Sequence, residues 1–354
     1  MGKNVCPEPI IEPELPIIDA HHHLWVLPQT TLSSMEKDDS IASRMLLSPF
    51  RRYARYLLDE FLEDLATGHL VRATVFVEAL AMYRTDGPKE TRSIGEVEFV
   101  NGVAAMSASG LFGATKVCAG IVGNVDLTLG EAVESLLEAQ IRAGGDRYRG
   151  VRCSGVVHDP DPIVLGKGVG VPQRLMDPNF RAGFSRLHRF GLSFEAWVLE
   201  PQLPQVIDLA RAFPDTQIIL NHVGAPVGVG PYTRQREERF PIWRGNILNL
   251  AVCPNVTVKL GGLGIPFGGF NSYLAEPPAT SEQLAKEWAP YIETCIEAFG
   301  TSRCMFESNF PVDSATCSYP VLWNTFKRLA AGCSKDEKHQ LFSGTANRTY
   351  RLGI

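Results

Sequence analysis

The sequence lacks several features that would place it in a specialised class of protein. No apolar run approaches the roughly 18 residues of a membrane span, so we expect no membrane segment. No basic block or arginine-rich stripe is present, so we expect no nucleic-acid partner. The eight cysteines form no C-x-x-C pair, and the N-terminus has no charged-then-apolar leader. These absences predict reduced thiols and a cytoplasmic location.

The composition that remains is that of an ordinary globular protein. The chain has 354 residues, of which 45% are hydrophobic and 21% charged, and its net charge is −5. A chain of this length can bury most of its apolar surface, so it needs no metal or disulfide merely to fold. The length allows either two domains or one α/β barrel with long insertions.

Eight short apolar runs recur along the chain, and helical stretches such as 236–251 and 281–299 lie between them. The runs are 16–22, 72–78, 116–122, 149–154, 192–198, 217–222, 255–260 and 303–309. Runs of this kind suit strands that are buried on both faces. Their alternation with helices predicts the α/β class and a single (β/α)8 TIM barrel with long loop insertions at its C-terminal face. A doubly wound open sheet is the alternative.

We expect one barrel domain over residues 16–354, preceded by an N-terminal extension over residues 1–15. Four long connections follow predicted strands, at about residues 26–51, 79–100, 223–240 and 261–279. Insertions at the carboxyl ends of barrel strands build the mouth of the active site. These connections are therefore predicted to shape a pocket.

The first predicted strand ends in Asp19-Ala-His21-His22-His23. Because side chains alternate along a strand, Asp19, His21 and His23 are predicted to point into the barrel and His22 away from it. Two imidazoles that are two residues apart at a strand end can hold a metal, or they can grip one substrate oxyanion together.

Three further motifs follow this one in order. They are Asn221-His222-Val-Gly-Ala-Pro, Val258-Lys259-Leu-Gly-Gly-Leu and Arg303-Cys-Met-Phe-Glu-Ser-Asn309-Phe-Pro-Val-Asp313. Together with Ile18-Asp-Ala-His-His-His-Leu-Trp, they resemble the amidohydrolase superfamily. The resemblance is to its amidohydrolase-2 branch, which includes pyrone-dicarboxylate and sugar lactonases. It covers the chain from about residue 16 to the C-terminus and implies a barrel, a pocket and hydrolysis.

The resemblance leaves the metal open. In metal-dependent members the ligands are the first-strand histidine pair, histidines on strands five and six, and an aspartate on strand eight. Here His21, His23 and His222 match three of these positions, but strand five has no histidine and Asn309 stands at the aspartate position. An amide is a poor zinc ligand and cannot act as a general base. We therefore favour a site without a metal or other cofactor, and Zn²⁺ bound by His21, His23 and His222 is the alternative.

Alternation along the strands predicts a dense cluster of polar side chains inside the barrel. The catalytic candidates are His21, His23, His222, Arg152, Glu307 and Asn309. The substrate-binding candidates are Trp25, Glu78, Glu195, Lys259 and Asp313, and His158 and Asp159 could also reach the mouth. Desolvated charges are tolerated only when paired, so Glu307 and Lys259 could instead serve a buried ion pair.

A mechanism without a metal follows as a hypothesis. His222 or Glu307, ranked above Asp313, deprotonates water. His21, His23 and Arg152 stabilise the oxyanion of the tetrahedral intermediate, and His222 returns a proton to the leaving oxygen.

We therefore predict a hydrolase that opens a lactone or activated ester of a small anionic or aromatic molecule. The alternatives are a mononuclear zinc hydrolase or decarboxylase, and, from another class, a catalytically inactive barrel that binds a ligand. The expected partner is the small-molecule substrate, and a homodimer is a candidate assembly.

Overall fold

The computed structural model describes residues 8–153 and 173–354, and its centre is an eight-stranded parallel sheet. The barrel strands are β1 (Ile17–His22), β4 (Val71–Val77), β5 (Lys116–Asn124), β6 (Tyr148–Arg152), β7 (Ser193–Ala196), β8 (Ile218–Leu220), β9 (Val256–Leu260) and β10 (Cys304–Phe306). Each strand pairs with the next in chain order, and a bridge between His22 and Phe310 joins the last strand to the first. The predicted (β/α)8 barrel is thereby confirmed.

Helices surround the sheet. Those before β7 are α1 (Gln29–Lys37), α2 (Ile41–Arg52), α3 (Leu58–Leu65), α4 (Ile94–Ala108), α5 (Val133–Gly144) and α6 (Pro178–Phe184). Those after β7 are α7 (Leu203–Ala212), α8 (Arg236–Ala251), α9 (Ser281–Phe299), α10 (Tyr319–Leu329), α11 (Lys335–His339) and α12 (Thr345–Tyr350). Helices α8 and α9 have the predicted bounds. Within the described ranges, no helix has the length and apolar character needed to span a bilayer.

The first two insertions contain more regular structure than their sequences predict. Residues 26–51 were expected as a loop, but they form α1 and most of α2, and the short strands β2 (Trp25–Val26) and β3 (Arg55–Tyr56) pair beside them. Ser40 begins α2 as an N-cap, since its hydroxyl accepts the Ser43 N–H at 3.1 Å. The second insertion, predicted over residues 79–100, is shorter than expected, because α4 already begins at Ile94.

Two segments that carry predictions lie outside the described residues. They are residues 1–7, which belong to the predicted N-terminal extension, and residues 154–172, which include Ser154, His158 and Asp159. The strand predicted over residues 149–154 ends at Arg152.

A small apolar cluster fills the lower part of the barrel. Its members include Ile18, Ala20, Val75 and Ile219 from the strands, together with Tyr350 from α12. The residues after α12 reach the starts of strands, because Arg149 and Gly191 each contact Arg351. Helix α12 therefore closes the amino-terminal end of the barrel and leaves the carboxyl end for the polar cluster.

Candidate active site

The first strand reaches this polar cluster through a bulge. The pairing of β1 with β4 shifts register between Asp19 and His22, and His21 and His23 both enter the site. His22 turns away and stacks on Phe61, as expected. Asp19 was predicted to point into the barrel, but its carboxylate accepts from the Ser308 N–H at 2.9 Å and the Tyr319 hydroxyl at 3.1 Å, beside α10. The prediction was wrong because the bulge breaks simple alternation.

The imidazoles of His21 and His23 meet edge to edge. Their Nε2 atoms lie 3.2 Å apart, and His23 Nδ1 lies 2.8 Å from the Val77 carbonyl oxygen. His21 Nδ1 lies 2.8 Å from Glu307 Oε2 and 3.2 Å from Lys259 Nζ. Burial lowers the pKa of both imidazoles well below its usual value, and nearby positive charges lower it further. The pair is therefore neutral around pH 7.

His222 forms a close pair with Glu307. Glu307 Oε1 lies 2.7 Å from His222 Nδ1 and also accepts the His222 backbone N–H at 3.1 Å. The carboxylate therefore favours the tautomer with the proton on Nδ1, which leaves the Nε2 lone pair free for chemistry. His222 lines a cavity, whereas Glu307 is fully buried beneath it. This carboxylate–imidazole pair is what a general base requires.

Two glycines after β9 make room for this pair. A Cβ on Gly262 would lie 2.2 Å from His222 Cγ, and a Cβ on Gly261 would lie 2.5 Å from Glu307 Cγ. Gly262 also has a φ of +65°, which disfavours other residues. The close approach of Glu307 and His222 thus explains the Gly-Gly in the motif Val258-Lys259-Leu-Gly-Gly-Leu.

Arg152 is held in place by Glu78. Arg152 Nε donates to Glu78 Oε1 at 2.6 Å, and Arg152 Nη2 donates to the Glu78 carbonyl oxygen at 2.7 Å. The remaining Nη1 lies 3.5 Å from His21 Nε2. A guanidinium fixed by two bonds and aimed at the imidazoles can meet a developing negative charge without reorganisation.

Lys259 and Glu195 form a separate buried pair below the imidazoles. Lys259 Nζ lies 2.9 Å from Glu195 Oε2, and neither side chain is exposed to solvent. Glu195 also accepts from the Asn221 amide and the Tyr350 hydroxyl. Neither Lys259 nor Glu195 is among the described residues that line the cavity, so in this structure they support the site from below.

Asn309 reaches the cavity, and Asp313 supports it from behind. The Asn309 amide donates to Asp313 Oδ1 at 2.7 Å, and the Gly264 N–H donates to Asp313 Oδ2 at 3.1 Å. Asn309 Oδ1 lies 3.3 Å from His23 Nε2. Burial raises the pKa of Asp313 well above its usual value. Asp313 is fully buried, so it does not reach the mouth as predicted.

A cavity of about 370 Å³ opens above these groups at the carboxyl end of the barrel. Its polar lining residues are His23, Glu78, Arg152, His222 and Asn309. Its apolar lining includes Trp25, Ala79, Leu80, Trp197 and Val312, and the loop after β9 adds Ile265 and Phe267. The structure thus brings six of the predicted site residues to one cavity. A larger cavity of about 770 Å³ near Glu8 and Asn324 holds none of the clustered histidines.

Sequence reasoning missed one wall of the cavity. Ala42, Leu46 and Phe50 line it from α2, and Leu27 lies just before α1. The spacing of these three residues by four places them on one helix face, and Ser40 marks the start of that helix. That signal was available in residues 26–51, but the segment was interpreted as a loop.

Part of the cluster has the geometry of a metal site. The ligand atoms of His21, His222 and Glu307 all lie within 4.8 Å of one another. In addition, His23 Nδ1 faces the Val77 carbonyl oxygen at 2.8 Å, so the Nε2 lone pair of His23 is directed at the cluster. Outer acceptors on Nδ1 are usual for metal-binding histidines. His21, His222 and Glu307 could therefore hold one zinc ion.

A comparison with models of known families identifies the family of the chain. The model of the Amidohydrolase family matches residues 18–352. An uncharacterized protein, y4mH of Sinorhizobium fredii, is 34% identical over 343 residues, which are 96% of this chain and 99% of that protein. An L-fucono-1,5-lactonase of Burkholderia ambifaria is 23% identical over 339 residues, 95% of each chain.

Solved structures share the fold. An amidohydrolase from Burkholderia multivorans with bound zinc has a TM-score of 0.70 and 23% identity, and the match covers 95% of this chain and 99% of that one. Amidohydrolase 2 from Bifidobacterium longum subsp. infantis has a TM-score of 0.58 and 17% identity, with the same coverage. At these identities the likeness concerns the fold alone.

Proposed function

The chain belongs to the amidohydrolase family and is a hydrolase, and from this premise we propose that it opens a lactone ring by the attack of water, without a metal. The pairing of His222 with Glu307 carries the proposal, since the carboxylate engages Nδ1 and leaves Nε2 of this cavity-lining residue for the reaction. The relatives named as L-fucono-1,5-lactonase and L-rhamnono-gamma-lactonase support the reaction class.

The proton transfers centre on His222. Water attacks the lactone carbonyl carbon while His222 Nε2 takes one of its protons, and Glu307 stabilises the imidazolium that forms. The bond from the carbonyl carbon to the ring oxygen then breaks, and His222 returns the proton to the departing alkoxide. The product is a hydroxy acid, and His222 regains its starting form.

Arg152 stabilises the oxyanion of the tetrahedral intermediate. Glu78 fixes its Nε and Nη2, and Nη1 is directed at the floor of the cavity near His21. His21 and His23 take part as neutral groups, because burial keeps protons from charging them. They lie beside Arg152, whose Nη1 is the group that can donate to the carbonyl oxygen.

The available ligands support a reaction without a metal. The Glu307 carboxylate already lies against the Nδ1 atoms of His21 and His222. The asparagine at residue 309 also removes a carboxylate ligand.

A zinc-dependent hydrolase is the second candidate, and the convergence of the His21 and His23 Nε2 atoms favours it. His21 and His23 would hold the ion, with His222 completing the set. Zinc bound there supplies Lewis-acid polarisation of a carbonyl.

Acid release from a panel of lactones tests the proposal, with metal content and chelator sensitivity measured on the same preparations. We expect lactone turnover that survives chelation, and a loss of about 100-fold or more in kcat/KM for His222→Gln. Stoichiometric zinc with activity abolished by chelator would establish the second candidate. Absence of turnover on every lactone, or full activity in His222→Gln, would refute lactone hydrolysis at this site.

A further inference from the structure

The cavity is polar on its floor and apolar on its walls. From this division we propose that the substrate is a lactone carrying an apolar alkyl or aryl substituent, and not a polyhydroxylated lactone. The inference rests on the lactone hydrolysis proposed above and narrows its substrate class.

The walls supply apolar contact from three separate elements. Leu46 and Phe50 project from α2, Ile265 and Phe267 come from the loop after β9, and Trp197 follows β7. Trp197 packs against Phe267 with ring centroids 6.3 Å apart, so these walls form a continuous surface. Among the described lining residues, no wall position carries a hydroxyl, an amide or a charged group.

The polar groups of the cavity floor are already hydrogen-bonded to other side chains of the site. Glu78 holds Arg152, Glu307 holds His222, and Asp313 holds the amide of Asn309. One lactone carbonyl can be served there, but a ring with several hydroxyls would bury most of them against carbon. A buried hydroxyl without a partner loses its hydrogen bonds to water and weakens binding.

The entrance is apolar as well. Leu80 lines the cavity, yet 61% of its surface is exposed. The backbone around it is fixed, because the Glu96 carboxylate accepts the N–H groups of Ala79 and Ala81 at 3.0 and 2.8 Å. An apolar side chain held at the mouth of a pocket marks a surface that an apolar ligand covers.

Three six-membered lactones test the inference: δ-valerolactone, δ-decalactone, which adds a pentyl chain to the same ring, and D-glucono-1,5-lactone. Each kcat/KM is divided by the rate constant for alkaline hydrolysis of the same lactone, which removes differences in intrinsic reactivity. We expect the corrected value for δ-decalactone to exceed those of the other two by about tenfold or more, since single methylenes in a fitted pocket give effects of that order. Equal values, or a preference for the gluconolactone, would overturn the inference.

A matched pair of variants locates the effect. Leu46→Asn places an amide on the wall, whereas Leu47→Asn makes the same change on α2 at a residue outside the described cavity lining. We expect Leu46→Asn to lose most of the preference for δ-decalactone and Leu47→Asn to keep it. Thermal melting of both variants checks that they are folded. A preference unchanged in folded Leu46→Asn would contradict the assignment of this wall.

Binding separates the failure of this inference from that of the proposed reaction. Cyclohexanone and 3-pentylcyclohexanone have no bond to hydrolyse, and the fluorescence of Trp25 and Trp197 reports their binding in the cavity. If no lactone is hydrolysed but the pentyl ketone binds at least tenfold tighter, the apolar specificity stands and the reaction does not. If lactones are hydrolysed but the two ketones bind equally, the reaction stands and the specificity fails.

Discussion

At the scale of single residues, Glu307 connects the two parts of the site. Its Oε1 faces His222 Nδ1 at 2.7 Å, and its Oε2 faces His21 Nδ1 at 2.8 Å. One carboxylate thus lies against two imidazoles, one from β1 and one from the residues after β8. The alternative of an ion pair between Glu307 and Lys259 is wrong, because Lys259 pairs with Glu195, and Arg152 pairs with Glu78.

Replacing Glu307 tests this connection. Glu307→Gln removes the charge that stabilises the His222 imidazolium, so we expect kcat/KM on the best lactone to fall by about 100-fold. Because the two residues act as one unit, the double variant with His222→Gln should be no slower than His222→Gln alone. Losses that simply multiply in the double variant would show that Glu307 acts independently of His222.

Gly262 offers a second test at this scale. In Gly262→Ala the new Cβ meets the His222 ring at 2.2 Å, and the φ of +65° disfavours alanine, so the ring must shift. We expect a loss of about 1–3 kcal/mol in the free energy of unfolding, and a fall in kcat/KM larger than in any variant that only destabilises. Gly245→Ala is the control, since its Cβ meets nothing within 4 Å inside α8. Urea unfolding of both variants decides the matter, and equal stabilities would contradict the steric account.

At the scale of elements, α4 anchors the chain that follows β4. Glu96 near the start of this helix is buried, and its Oε1 accepts two backbone N–H groups from residues 79 and 81. Gly95 allows this close approach, because a Cβ there would lie 2.6 Å from the Met82 carbonyl oxygen. The same stretch carries Glu78, which holds Arg152, so α4 indirectly sets one side of the site.

The ionisation of Glu96 should make the free energy of unfolding depend on pH. Burial, with the nearby Glu78 carboxylate, raises the pKa of Glu96 from 4.5 to about 8. Between these values the folded state keeps a proton that the unfolded state releases, so this group makes the free energy of unfolding fall as pH rises from about 5 to 8. Glu96→Gln lacks this penalty, and we expect its stability relative to the wild type to increase by up to roughly 1.4 kcal/mol per pH unit across that window.

Urea unfolding at pH 5, 6, 7 and 8 measures the trend. Glu98→Gln is the matched control, because Glu98 lies on the same helix but is exposed and pairs with Arg84. Parallel pH curves for wild type and Glu96→Gln would refute the raised pKa.

At the scale of the whole molecule, the barrel is closed below and open above. Tyr350 of α12 enters the barrel from the amino-terminal end, donates to Glu195 and lies with its ring centroid 5.5 Å from Lys259 Nζ. Glu195 and Lys259 in turn lie beneath His21. The last helix therefore connects the bottom of the barrel to the site through one buried chain of polar contacts.

Substitution of Tyr350 tests that arrangement. Tyr350→Phe keeps the ring but leaves Glu195 without one donor, so we expect a loss of about 1–3 kcal/mol in the free energy of unfolding. Tyr350→Ala also leaves a cavity and should lose about 3–5 kcal/mol. Denaturant unfolding of the two variants gives both numbers. A Tyr350→Phe protein as stable as the wild type would mean that the hydroxyl contributes nothing to the buried pair.

The sequence by itself determined the barrel and indicated which residue types gather in the candidate site. Buried parallel strands need continuous apolar runs, and these runs placed all eight strands to within a few residues. The bounds of α8 and α9 followed from the same local patterns. The residue types His21, His23, His222 and Arg152 were found because each lies at or just beyond a strand end, where barrel chemistry collects.

Only the tertiary structure decided how those residues combine. The bulge in β1 turned Asp19 toward α10, which strict alternation does not anticipate. Glu307 pairs with His222, and Glu195 pairs with Lys259. Both pairings depend on distances between strands that are far apart in the chain. The apolar wall from α2 likewise exists only because that helix folds over the mouth. Local sequence fixes which face a side chain prefers, whereas partner choice is settled by close packing in three dimensions.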